Sequence, residues 1–250
     1  MIERSDRDGI TTLRLAHGKA SALDLELVEG LARAVAEAVA SETRAVVVTG
    51  SGSIFSAGVD LFRLVEGGAD YTDRFLPALS RMLLDLFTMP KPLVVAVNGH
   101  AIAGGCIIAA SGDYRLMASG NGRIGVPELL VGVPFPPAVI EVLRFALPPQ
   151  SLQMLLYTGR TVVADEAKAH GLVDEVVDAE RLIERAEEIA RQMAALPAAA
   201  FQLAKRQLRD KAATRAKRYE SKFGDEVKEL WASPETHDGI RAYLAKTVKK

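Results

Sequence analysis

Two short segments of this 250-residue chain carry residues arranged to do chemistry through the backbone. One is Ile54-Phe55-Ser56-Ala57-Gly58-Val59-Asp60-Leu61; the other is Val97-Asn98-Gly99-His100-Ala101-Ile102-Ala103-Gly104-Gly105-Cys106. Each puts a glycine-bearing turn between a buried strand and the start of a helix. N–H groups at a helix start have no intrahelical partner and point toward incoming negative charge. Two such turns facing each other would hold one oxyanion between them and lower the energy of an enolate formed from a thioester. Alone the pattern is general, since helices follow strands in every α/β protein.

Other chemistries find less support. Gly50-Ser51-Gly52-Ser53-Ile54-Phe55 begins like a dinucleotide fingerprint, but Phe55 stands where the third glycine belongs and no strand is expected to end in an acidic residue at ribose distance. There is no Gly-x-Ser-x-Gly elbow. The four histidines, His17, His100, His170 and His237, lack metal-ligand spacing, so no metal is expected; His100 reads as a structural residue in a turn. Cys106, the only cysteine, sits among small and apolar residues and reads as an inert buried thiol. It allows no internal disulfide, which suits a reducing, cytoplasmic setting. With 31 basic against 32 acidic residues, nothing favours nucleic acid as a partner. The charged N-terminus does not read as a signal peptide. The uncharged stretch 92–112 is interrupted by Asn98-Gly99-His100 and reads as strand, turn and buried helix, not a membrane span.

The elements that must position these turns follow from periodicity. Asp8-Gly9 between apolar runs predicts a hairpin in the first ~20 residues. Asp24 caps a helix whose Leu27, Leu31, Val35 and Val39 share a face. Ala45-Val46-Val47-Val48 and residues 93–97 are continuous apolar runs, expected as buried strands, and Tyr114-Arg115-Leu116-Met117 is a further strand. A helix is expected after Leu61 and another over residues 75–87, stopped by Pro90 and Pro92. Strands alternating with helices predict an α/β domain with mostly parallel pairing. From about Glu180 the pattern is helical almost to the basic end at 246–250. The expected division is a core over residues 1–195 and a C-terminal helical region over 196–250.

The first segment resembles the Phe-x-Ala-Gly-x-Asp-Leu signature of the enoyl-CoA hydratase/isomerase (crotonase) family, and the second resembles that family's second oxyanion turn. Lys19-Ala20-Ser21-Ala22-Leu23 is similar to its Lys-x-Asn-Ala-Leu, with Ser21 for Asn. Thr158-Gly159-Arg160, Ala164-Asp165-Glu166-Ala167 and Gly171-Leu172-Val173 match a later signature, and Gly239-Ile240-Arg241-Ala242-Tyr243-Leu244-Ala245-Lys246 resembles the final helix.

The resemblance implies an α/β spiral of ββα units forming two sheets, with a C-terminal helical trimerisation region. It implies an acyl-coenzyme A thioester as substrate, a homotrimer or dimer of trimers, and no separate cofactor, coenzyme A being part of the substrate. The N–H groups of Val59 and Gly104 would form the oxyanion hole. Lys19, Ala20, Ala22, Ala57, Asp60 and Leu61 would line the coenzyme A groove, with Tyr243 and Lys246 closing over adenine or phosphates. Family hydratases use two glutamates. Glu128, after Pro127, matches one; Ile107 stands at the other, three residues past Gly104. Val131-Gly132-Val133-Pro134-Phe135-Pro136-Pro137 is more similar to the mitochondrial-type 3,2-enoyl-CoA isomerases. Three readings follow: a one-glutamate isomerase of fatty acid metabolism; another acyl-CoA reaction on the same hole, as hydratase, thioester hydrolase or decarboxylase; and a non-catalytic acyl-CoA binder. The apolar residues of the C-terminal region (Phe201, Leu203, Phe223, Leu230, Trp231) are expected to pack partly against neighbouring subunits.

Overall fold

The computed structural model describes residues 1–247; residues 248–250 of the basic end lie outside the described residues. The hairpin is present: β1 (Ile2–Arg7) pairs antiparallel with β2 (Ile10–Leu15). Its turn residues Asp8 and Gly9 have φ of 51° and 75°, the left-handed pair such a turn requires. Asp24 caps α1 (Leu25–Ala40), accepting the Leu27 N–H at 2.8 Å.

The chain then repeats one unit three times. The first is β3 (Ala45–Gly50), β4 (Ile54–Ser56) and α2 (Leu61–Thr88); the second is β5 (Leu93–Val97), β6 (His100–Ile102) and α3 (Gly104–Ala110). The third is β7 (Tyr114–Ala118) and β8 (Ile124–Gly125), then a 3-10 turn over Glu128–Val131 and α4 (Pro137–Ala146). After these come α5 (Pro149–Thr158), β9 (Thr161–Val162), α6 (Ala164–Ala169), β10 (Glu175–Val177), α7 (Leu182–Ala194), α8 (Ala198–Ala232) and α9 (Pro234–Thr247). The first strand of each unit enters a six-stranded sheet, β1-β2-β3-β5-β7-β10, and the second enters a four-stranded sheet, β4-β6-β8-β9. The pairings are parallel apart from β1–β2 and β8–β9. This is the spiral of ββα units expected from the sequence.

The continuous apolar runs reflect a sheet covered on both faces. Val46, Val48, Val95 and Val97 join the main core with α1, α2 and α3. Their neighbours Ala45, Val47, Val94 and Ala96 face the other way, onto Leu182, Ala186, Ile189 and Ala190 of α7. No helix among the described residues is long and apolar enough to cross a membrane.

Three local expectations need correction. The two helices expected between residues 61 and 87 form one element broken at Gly68, where φ is 59°. His100 opens strand β6 instead of lying in a turn, because the backbone there pairs with β4. Trp231, expected against a neighbouring subunit, is 2% exposed and belongs to the main core of its own chain. Leu203, Leu208 and Leu230 of α8 remain exposed.

Candidate active site

The two turns meet. Gly58 has φ of 83°, and a Cβ there would lie 2.6 Å from the Cβ of Ala103 and 2.7 Å from the Ile102 carbonyl oxygen. Only glycine lets the backbones approach so closely at that dihedral. The first turn is held from the other side by Leu23, whose N–H donates to the Gly58 carbonyl (2.7 Å) and whose carbonyl accepts the Asp60 N–H (3.0 Å). That pairing leaves the intervening Val59 N–H unused. Across the gap, Ala103 is held at φ 52°, an uncommon conformation for a residue with a Cβ. It precedes α3 without supplying a side-chain cap. Among the described residues neither the Val59 nor the Gly104 N–H donates to a backbone carbonyl.

Both turns open onto a cavity of about 390 Å³. Glu128 is the one charged side chain among the described residues that line it. Pro127 precedes it, and Gly132, in the left-handed region, ends its 3-10 turn. The Glu128 Oε2 atom is buried and has no hydrogen-bond partner among the described residues. Burial pushes the carboxyl up from 4.5 to about 8, opposed only by a backbone hydrogen bond at Glu128 itself. An isolated buried carboxylate responds in this way because its charged form loses hydration without gaining a counterion. Ile107, one turn of α3 beyond Gly104, also lines the cavity and has no exposed surface. Apolar walls come from Leu79 and Leu83 of α2, Val131, Phe135, Val139 and Trp231, and Thr161 and Tyr243 add polar side chains.

The structure brings together Ala57, Val59, Leu61, Gly104, Glu128 and Tyr243 around this cavity. Lys19, Ala20, Ala22, Asp60 and Lys246 do not line it. Ala20 lies beside the first turn, its carbonyl accepting the Ala57 N–H at 2.9 Å; Ala22 is half-buried close by, and Lys19 and Lys246 are exposed. The Asp60 carboxylate caps α2, accepting from the Phe62 and Arg63 N–H groups. Of the apolar residues following Glu128, Leu130 and Val131 line the cavity and Leu129 does not, although Leu130 is the more exposed of the two leucines. His100 accepts the Arg123 N–H through Nδ1 at 3.3 Å and stays outside the cavity. Burial, with Glu128 adding to it, pushes the Cys106 thiol well above its ordinary range, consistent with an inert thiol. Sequence reasoning missed Leu79, Leu83, Val139 and Trp231 as cavity walls. The helical spacing of the two leucines marks a buried face, but which surface it meets is a matter of tertiary packing.

A family model described as enoyl-CoA hydratase/isomerase matches residues 5–249. The carnitinyl-CoA dehydratase of Citrobacter koseri is 37% identical over 154 residues, 61% of this chain and 58% of that protein. The chain thus spans about three fifths of the length of the first curated relatives it matches. A Mycobacterium tuberculosis protein, described in one structure as an enoyl-CoA isomerase and in another as a probable enoyl-CoA hydratase, is 29% identical. In the isomerase structure the match covers 96% of this chain and 97% of that one, with a TM-score of 0.81. The human mitochondrial delta3-delta2-enoyl-CoA isomerase shares the fold, with a TM-score of 0.94 at 24% identity over 99% of this chain and 98% of that one.

Proposed function

The chain belongs to the enoyl-CoA hydratase/isomerase family, and from that premise we propose that it converts 3-enoyl-CoA thioesters to trans-2-enoyl-CoA, with Glu128 as the one proton-transferring group. The observation that carries this reading is the pairing of a carboxylate whose buried Oε2 has no partner among the described residues with an isoleucine at the position matching the family's other acid. Ionised Glu128 removes a proton from C2: the C2–H bond breaks, its electron pair enters the conjugated dienolate, and the thioester oxygen takes the negative charge. The Val59 and Gly104 N–H groups stabilise that oxygen. The carboxylic acid so formed returns its proton at C4, leaving the double bond between C2 and C3. An apolar wall raises the base strength of the carboxylate toward the value that proton abstraction near neutral pH favours.

Hydration asks for more, since a base must activate water while an acid serves the α-carbon. Ile107 can do neither. The alternative is a hydratase or dehydratase using an acid from elsewhere, and the name of the Citrobacter relative favours it. Purified protein given 3-hexenoyl-CoA and crotonyl-CoA separates the two. Isomerisation with little hydration is the expected result; hydration as fast as isomerisation overturns the one-glutamate reading.

In the same reading, coenzyme A enters as part of the substrate, no separate cofactor takes part, and the setting is cytoplasmic. Lys19, Ala20, Ala22, Ala57, Asp60 and Leu61, with Tyr243 and Lys246, contact the coenzyme A portion. Residues 1–195 form the catalytic core and 196–250 the assembly region. The exposed Leu203, Leu208 and Leu230 on α8 support a homotrimer or dimer of trimers. Light scattering that finds a 26.8 kDa monomer at micromolar concentration contradicts that assembly.

A further inference from the structure

The segment that carries Glu128 is short of the means to hold itself in place. Prolines occupy positions 127, 134, 136 and 137, so those residues have no N–H to donate. The 3-10 turn spans four residues and stops at Gly132, which is exposed. Its own N–H groups satisfy the carbonyls of Pro127, Glu128 and Leu129, but those of Gly132 and Pro134 take their donors from elsewhere. Two donors come from a single place, the break between α8 and α9. The Trp231 indole N–H donates to the Pro134 carbonyl at 2.7 Å. The Thr236 hydroxyl donates to the Gly132 carbonyl at 3.2 Å while accepting from Ser233 Oγ at 3.1 Å. Trp231 and Thr236 are 2% and 5% exposed, so water does not compete freely for either bond.

The two anchored carbonyls bracket Val133, and the Val133 N–H donates back to the Glu128 carbonyl at 3.1 Å. Thus the peptide that pins Glu128 is itself pinned on both sides by the C-terminal helices. A third contact fixes the spacing: a Cβ on Gly239 of α9 would lie 3.0 Å from the Val131 carbonyl oxygen, tight enough to push the turn away.

We infer that Trp231 and Thr236 are positioning residues for Glu128, the α8–α9 junction acting as a strap that holds its turn at the cavity. The inference rests on the proposed role of Glu128 as proton carrier. A carboxyl that must reach both C2 and C4 tolerates little displacement, since a misplacement of about 1 Å can cost ~10²-fold in rate.

Thr236→Val removes the donor and keeps the shape. The expected result with 3-hexenoyl-CoA is a kcat lower by about tenfold at a KM changed by less than about twofold, because positioning and not binding is lost. The melting temperature falls by about 2–4 °C, the scale of one hydrogen bond in a chain of this size. Thr236→Ser restores kcat, which a mere packing defect would not. Trp231→Phe, which removes the other donor, lowers kcat as well and serves as the test should Thr236→Val fail to fold. A folded Thr236→Val or Trp231→Phe protein with unchanged kcat overturns the strap. If that occurs while Glu128→Gln is inactive, the strap alone falls; if Glu128→Gln is itself fully active, the reading of Glu128 falls first.

Discussion

Helix α3 ends in two buried polar environments that handle charge in opposite ways. At its N-terminal end the Gly104 N–H has no side-chain cap, and the cavity it faces is lined by Glu128, whose Oε2 has no partner among the described residues. At its C-terminal end every charge is met. Arg209 of α8 donates to the carbonyls of Ser111 (2.8 Å) and Gly112 (2.9 Å) and, at the end of α2, to that of Phe87 (2.5 Å). It also pairs with Asp113 at 2.8 Å, beside Lys205 at 2.6 Å, and lies over the ring of Phe87. Burial lowers Lys205 to about 8, outweighing the opposing pull of Asp113. A buried polar group that is satisfied ties elements together, whereas one left unsatisfied costs folding free energy. On the proposed function, a substrate supplies the partners that the site end of α3 lacks.

Breaking the satisfied end has the largest expected effect. Arg209→Met leaves three carbonyls and Asp113 short of a partner. Denaturant titration is expected to show a loss of about 3–5 kcal/mol, the range for a broken buried ion pair. A loss below ~1 kcal/mol, the scale of a surface pair, means the cluster is not a clasp.

At the site end, Gly58→Ala puts a Cβ against backbone and Ala103 at a dihedral that disfavours it, and so displaces the Val59 N–H. The expected loss in kcat is about 10²–10³-fold, that of one oxyanion donor. Steady-state kinetics showing wild-type kcat contradicts the placement of the hole.

A smaller effect sharpens the comparison by its sign. Glu128 has an ordinary carboxyl pKa when unfolded and about 8 when folded. Between about 4.5 and about 8 the folded chain therefore binds more protons than the unfolded one, and stability falls as pH rises. The linkage amounts to a few kcal/mol, at ~1.4 kcal/mol for each pH unit between the two values, reached in full above the folded pKa. Glu128→Gln is expected to melt at a higher temperature than the natural protein at pH 9, with the gain shrinking toward pH 5. An unchanged difference across that range means the carboxylate is solvated.

Much of this contrast is legible in the sequence, for identifiable reasons. Asp24, Asp8-Gly9 and the runs at 45–48 and 93–97 act locally, through a cap, a turn and burial on both faces. The two glycine turns and Pro127-Glu128 can likewise be read as motifs. What is not legible depends on distant partners. Strands β4, β6, β8 and β9 have two or three residues each, too few to show a period, and exist only through pairing. Leu129 and Leu130 are neighbours of one type, yet only Leu130 reaches the cavity. Trp231 belongs by sequence to a long charged helix, and only the fold brings its indole to Pro134.

The most direct test of the unsatisfied end is Glu128→Gln, measured for binding and turnover together. Titration calorimetry with a 2-enoyl-CoA is expected to show affinity close to that of the natural protein, because the Val59 and Gly104 N–H groups are untouched. Turnover of 3-hexenoyl-CoA is expected to fall by at least ~10²-fold, the scale of a general base. Full turnover by a folded Glu128→Gln protein would contradict the assignment of Glu128 as the proton carrier.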